Sequence, residues 1–211
     1  EVNRRNIHAE HTLNLGLNSS AKAETYFPAL KSRFLSQNPE ATIRVESNNI
    51  TSLREGILHG RFDAILMPDF ERFFAEENSL EWVWVARDCA RAIFSVKHPL
   101  ASKEFITMED LWSEQFVTIS SDMSSGHARD LLERFDPYGV VPQIVITYPN
   151  PHTIRDDPPE NGIIFADRFY DYDMGVLTAK PIKNQFNGII CICKSTKKRK
   201  ITQLFLEILD T

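Results

Sequence analysis

Ser120, Asp122 and His127 lie close together in the chain and are the residue types of a nucleophile, an acid and a base. A catalytic triad is defined by geometry rather than by linear spacing. The segment reads more simply as a polar turn that caps a helix beginning at Gly126. His8, Glu10 and His11 could share one helix face as metal ligands, but they sit in a polar, charged start, and no metal site is expected there. Cys89, Cys191 and Cys193 are too few and too oddly spaced for a disulfide framework. Cys191 and Cys193 alternate in an apolar run and read as core thiols. Five basic residues between Lys194 and Lys200 read as a solvated connector rather than a nucleic-acid patch. No nucleophile elbow, phosphate loop or dinucleotide fingerprint occurs. No catalytic residue and no cofactor is therefore expected, and the chain is read as a non-enzyme.

What remains is a set of short polar turns: Asn18-Ser19-Ser20, Asn48-Asn49, Pro68-Asp69 and Ser120-Ser121-Asp122. Each closes an apolar run that reads as a strand. Thr12 to Leu17 alternates Leu13, Leu15 and Leu17, Thr42 to Val45 follows, and Phe62 to Met67 is the third strand. Between them, Thr25 to Gln37 reads as a helix with Phe27, Leu30, Phe34 and Leu35 on one face. Pro28 is tolerated in its first turn. Thr51 is read as the cap of a second helix with Leu53, Ile57 and Leu58 inward, ended by Gly60. This β-α-β-α-β order implies parallel strands with right-handed crossovers.

The order repeats further on. Trp82 to Ala86 and Ala92 to Val96 read as strands, and Thr107 to Asp110 as a capping box opening a short helix. Phe116 to Ile119 is a strand, Gly126 to Phe135 a helix with Leu131, Leu132 and Phe135 buried, and Gln143 to Thr147 a strand. Gly162 to Phe165 and Gly188 to Cys193 are the last strands. Ile201, Leu204, Phe205, Ile208 and Leu209 mark a final amphipathic helix.

In open parallel sheets, ligands bind beyond the carboxyl ends of the strands. Ser19, Ser20, Asn48, Asn49, Pro68, Asp69, Ser120, Ser121 and Asp122 occupy those ends and are the candidate ligand-binding residues. Hydroxyls, amides and helix N-termini suit a small polar ligand. Only Lys22 and Arg168 are close in sequence to Asp69, Asp122 and Asp167, so a neutral or zwitterionic ligand is expected before a dicarboxylate.

The 211 residues suffice for one large domain or two small lobes and a sizeable core. Lys+Arg is 24 against Asp+Glu 29, a net charge of −5, which argues against a nucleic-acid-binding surface on this chain. No apolar run reaches the roughly 18 residues of a membrane helix. The free thiols and the lack of an apolar leader fit a reducing, cytoplasmic compartment.

Several stretches resemble one family. They are Leu13 to Leu17, Phe27-Pro28-Ala29-Leu30 with Arg33-Phe34 and Asn38-Pro39, Gly60-Arg61-Phe62-Asp63-Ala64-Ile65-Leu66, His98-Pro99-Leu100-Ala101, and Leu111 with Phe116-Val117. In order and spacing the chain resembles the effector-binding domain of LysR-type transcriptional regulators. The resemblance implies an α/β fold of two Rossmann-like lobes around a central cleft, the type 2 periplasmic-binding-protein fold. Residues 1–11 would be a tail from a linker, 12–84 with 188–211 lobe I, and 85–187 lobe II. It further implies a small-molecule effector between the lobes and self-association as dimer or tetramer. DNA would be contacted only through a winged helix-turn-helix upstream of Glu1, and no membrane partner is implied. The alternative is an extracytoplasmic solute-binding protein of the same fold. The chain departs from the family pattern between Pro151 and Asp167, where Asp156-Asp157-Pro158-Pro159 would break an expected helix.

Overall fold

The structure, a computed structural model, describes residues 10–119, 126–149, 153–154, 157, 159–170 and 175–209. They fall into two units, 1–86 with 188–211 and 87–187.

Unit 1 is built on three parallel strands. β1 (Thr12–Asn18) lies between β2 (Thr42–Asn48) and β3 (Ala64–Pro68), with Asn18 opposite Asn48 and Leu17 opposite Leu66. β3 is buried at every residue, as expected of a strand covered on both faces, whereas the edge strand β2 is not. Helix α1 (Phe27–Gln37) turns Leu30 and Phe34 inward, and the Phe34 ring meets Phe205 of the last helix edge-on at 5.4 Å. Pro28 falls in its first turn. A 3-10 turn at Ala23–Thr25 precedes it, so the helix starts two residues later than the sequence suggests.

Helix α2 (Ile50–Leu58) buries Leu53 and Ile57, while Leu58 is exposed, contrary to expectation. Its cap is Asn49 rather than Thr51. A Cβ on Gly16 would stand 2.5 Å from Leu53 Cδ2, so glycine in β1 lets α2 settle against the sheet. Gly60, with φ +76°, turns the chain out of α2.

A short helix α3 (Arg72–Glu77), unforeseen in the sequence, follows β3. β4 (Leu80–Ser95) is one continuous strand where two were expected. It begins in unit 1 and ends in unit 2, and β8 (Leu177–Lys194) returns the chain. β8 runs antiparallel to β3, with Leu66 opposite Cys191, so the unit is mixed rather than purely parallel.

In unit 2, β5 (Gln115–Ile119) pairs in parallel with β6 (Gln143–Tyr148) and β7 (Ile163–Ala166), and β7 pairs antiparallel with β4. Alternate residues fill two cores. Ala92, Phe94, Phe116 and Phe165 meet Leu131 and Phe135 of α4 (Gly126–Phe135), and Ile93, Val117, Ile164 and Ala166 lie among Tyr148, Ile154 and Leu177. Leu132 of α4 is exposed rather than buried. The capping box is present, with Thr107 N–H donating to Asp110 and Asp110 N–H to Thr107 Oγ1, but it opens a 3-10 turn, Glu109–Leu111. The last helix, α5 (Lys200–Glu207), buries Ile201 and Phe205. Among the described residues no helix is long and apolar enough to cross a membrane.

Candidate functional site

The candidate residues of unit 1 gather at one end of its sheet, because β1, β2 and β3 are parallel and in register. Asn18 is buried, and its Oδ1 accepts the Ser20 N–H at 2.8 Å. Ser19 N–H donates to the Asn48 carbonyl at 2.9 Å, and Ala21 N–H to the Asn18 carbonyl at 3.3 Å. The turn is thereby fixed by backbone groups and one buried amide. Its two hydroxyls form no hydrogen bond among the described residues; Ser19 is exposed and Ser20 half-buried. They do not cap a helix, because α1 begins only at Phe27.

The neighbouring turns contribute less. Asn49 accepts the Ser52 N–H at 2.9 Å and so spends its amide oxygen as the cap of α2. Pro68 is buried, and Asp69, 2% exposed, starts a 3-10 turn over Asp69–Glu71. Behind it, Glu71 is buried and held by both Arg54 Nε and Nη2, at 2.7 and 2.8 Å. Burial nevertheless pushes its carboxyl above the ordinary range, against the pull of Arg54. This ion pair was not visible in the sequence, because its partners lie on α2 and beyond β3.

Ser120, Ser121 and Asp122 lie outside the described residues. His127, which sequence proximity placed beside them, is fully engaged. Its Nδ1 accepts the Ile119 N–H at 3.3 Å, and its Nε2 stands 3.0 Å from the Phe165 carbonyl. With Nδ1 accepting, Nε2 carries the proton and donates. The ring is a strap between β5 and β7, and burial pulls its pKa below the usual histidine value. A histidine with both nitrogens used and its protonated form disfavoured is no general base. Among the described residues no group of three His, Cys, Asp or Glu could hold a metal.

Unit 2 has charged residues at the matching strand end. Asp167 follows β7 and is buried, and its Oδ1 accepts the Phe169 N–H at 2.7 Å. Arg168 pairs with Asp88 at 3.3 Å. Arg91 of β4 is in register with Ala166, immediately before Asp167. Sequence reading singled out Asp167 and Arg168 but missed Asp88 and Arg91. Only the antiparallel pairing of β4 with β7 brings those two near.

A family model described as the LysR substrate binding domain matches residues 7–156. No curated protein matches the sequence. Among solved structures, the effector-binding domain of QuiR in complex with shikimate is similar at 15% identity and a TM-score of 0.69, covering 94% of each chain. The Synechocystis PCC6803 CcmR regulatory domain in complex with 2-PG is similar at 20% identity and 0.64, over 94% of this chain and 95% of that one. Full-length CbnR complexed with its target DNA is similar at 16% identity and 0.70, over 98% of this chain and 73% of that one.

Proposed function

Because the chain belongs to the LysR substrate-binding-domain family, we propose that it is the effector-sensing regulatory part of a LysR-type transcriptional regulator. Its α/β architecture is the type 2 periplasmic-binding-like fold. A small molecule binds at the carboxyl ends of the parallel strands and biases DNA-binding domains carried elsewhere in the protein. The observation that carries this reading is the fixed turn at Asn18-Ser19-Ser20, whose backbone N–H groups are held internally while its serine hydroxyls have no hydrogen-bond partner among the described residues. Ser19, Ser20 and Asn48 form the first half of the effector site. Ser120, Ser121 and Asp122, in lobe II (85–187), complete the proposed set, and lobe I comprises 12–84 with 188–211. Asn49, Pro68 and Asp69 shape the site through backbone and cap rather than through free side chains.

The ligands named for the QuiR and CcmR structures, shikimate and 2-PG, are small polar molecules, and a ligand of that size fits this reading. A ligand acts here only through different affinities for two arrangements of the protein. The module binds and does not catalyse. It works in the cytoplasm, pairs with a second copy of itself, and reaches DNA through an upstream winged helix-turn-helix. The coding sequence upstream of Glu1 tests the reading: a helix-turn-helix followed by a long helix is expected, and an apolar signal peptide would reassign the chain to extracytoplasmic solute binding.

A further inference from the structure

Asp167 sits immediately after β7 and is only 4% exposed. Its Oδ1 holds the Phe169 N–H, closing a tight turn. Burial pushes its carboxyl up to about 7 against that hydrogen bond, Asp88 adds repulsion, and Arg91 and Arg168 oppose it. Asp88 and Arg91 from β4 and Arg168 from its own turn are the described charged groups that act on it. Arg168 is engaged with Asp88. Arg91 is not engaged in this way: its Nε is buried and has no hydrogen-bond acceptor among the described residues. The four groups together are neutral when Asp167 is ionised and carry one positive charge when it holds a proton. Of the two guanidinium groups, only Arg91, a half-buried residue, lacks an ion-pair partner among the described residues.

We propose that Asp167 couples anion binding at this end of unit 2 to proton uptake, with Arg91 as the cation that receives the anion. The inference rests on reading this strand end as part of the effector site. An anion near Arg91 adds negative charge beside a carboxyl already removed from water, and like charges in such a place raise the carboxyl's hold on its proton. Linkage then requires the converse: protonated Asp167 favours the anion. Anion affinity falls several-fold as pH rises through neutrality, and a cationic ligand shows the opposite trend.

A site-resolved carbon-13 titration of the Asp167 carboxyl in the intact chain tests this without the effector. The midpoint is expected near neutrality. It should move down in Asp88→Asn, which removes repulsion, and up in Arg91→Met, which changes the local charge in the same sense as an arriving anion. Sulfate, which does not titrate in this range, should also move it up when exchanged for chloride at constant ionic strength. A midpoint in the ordinary carboxylate range, no response to either substitution, or no upward movement with sulfate overturns the proposal. Failure to identify any effector would count against the proposed function and leave these titrations standing. A midpoint in the ordinary range would remove the coupling and leave the proposed function intact.

Discussion

Ser20 stands where a side chain can reshape a binding surface without entering the core. Its backbone N–H is held by Asn18 Oδ1 whatever side chain the position carries. Ser20→Phe should therefore alter stability by only about 0.5–2 kcal/mol, the range for disturbing a cap or turn. Affinity for an effector found by thermal-shift screening should fall much further, because hydrogen bonds are lost and space is filled together. Calorimetric titration of both proteins decides it; equal affinities would move the site elsewhere. His127 supplies a pH prediction. Its folded-state pKa lies below the usual value, so below about pH 6.5 the unfolded chain takes up a proton that the folded chain refuses. Stability is lost as pH falls, and His127→Gln removes that loss. Urea unfolding should show the variant less stable at pH 7.5, by about 1–3 kcal/mol for a disturbed buried hydrogen bond, with the gap narrowing toward pH 5. A constant gap across that range would contradict this account. The candidate turns of unit 1 were legible at this scale because Ser and Asn after an apolar run are local signals. The Asp88–Arg91–Asp167 grouping was not, because it depends on strand pairing between residues far apart in the chain.

Helix α2 shows how much one element depends on its ends. Asn49 satisfies the Ser52 N–H, so Asn49→Ala should cost about 1 kcal/mol in chemical denaturation. A loss below a few tenths would mean that solvent replaces the cap. Among the elements, β1, β5, β6, α4 and α5 were readable to within a residue or two, since each carries its period in its own apolar residues. β4 was read as two strands because Arg87-Asp88 interrupts its apolar pattern, yet the strand continues through an exposed Arg87 and a half-buried Asp88. Helix α3 was missed because it is a single short stretch in which only Phe73 and Ala75 are buried, too few to set a period. The mixed sheet escaped for another reason. Strand direction beside β3 is decided by β8, whose pairing partner lies more than a hundred residues earlier.

At the scale of the whole molecule, net charge and the family resemblance each lead to one expectation. The net charge of −5 opposes binding to a polyanion, and two of the five basic residues between Lys194 and Lys200 are already paired, Lys198 with Glu81 and Arg199 with Asp63. The isolated chain should not shift duplex DNA at physiological salt, and a salt-sensitive submicromolar complex in a gel-shift titration would refute this. The family resemblance implies self-association with the outer face of α1, where Lys31 and Arg33 are exposed, against α4 of a second copy, where Arg129, Leu132 and Glu133 are exposed. Sedimentation that finds only monomer at high concentration would exclude that pairing. The route of the chain also bears on how the protein is made. Unit 2 is one uninterrupted stretch, whereas unit 1 is completed by residues 188–211. β3 lacks its neighbour β8, and Phe34 lacks Phe205, until that last stretch exists. On the ribosome, unit 2 can close while unit 1 still waits with an open strand edge and a bare aromatic face. That nascent intermediate is the stage at which chaperones have the most to bind.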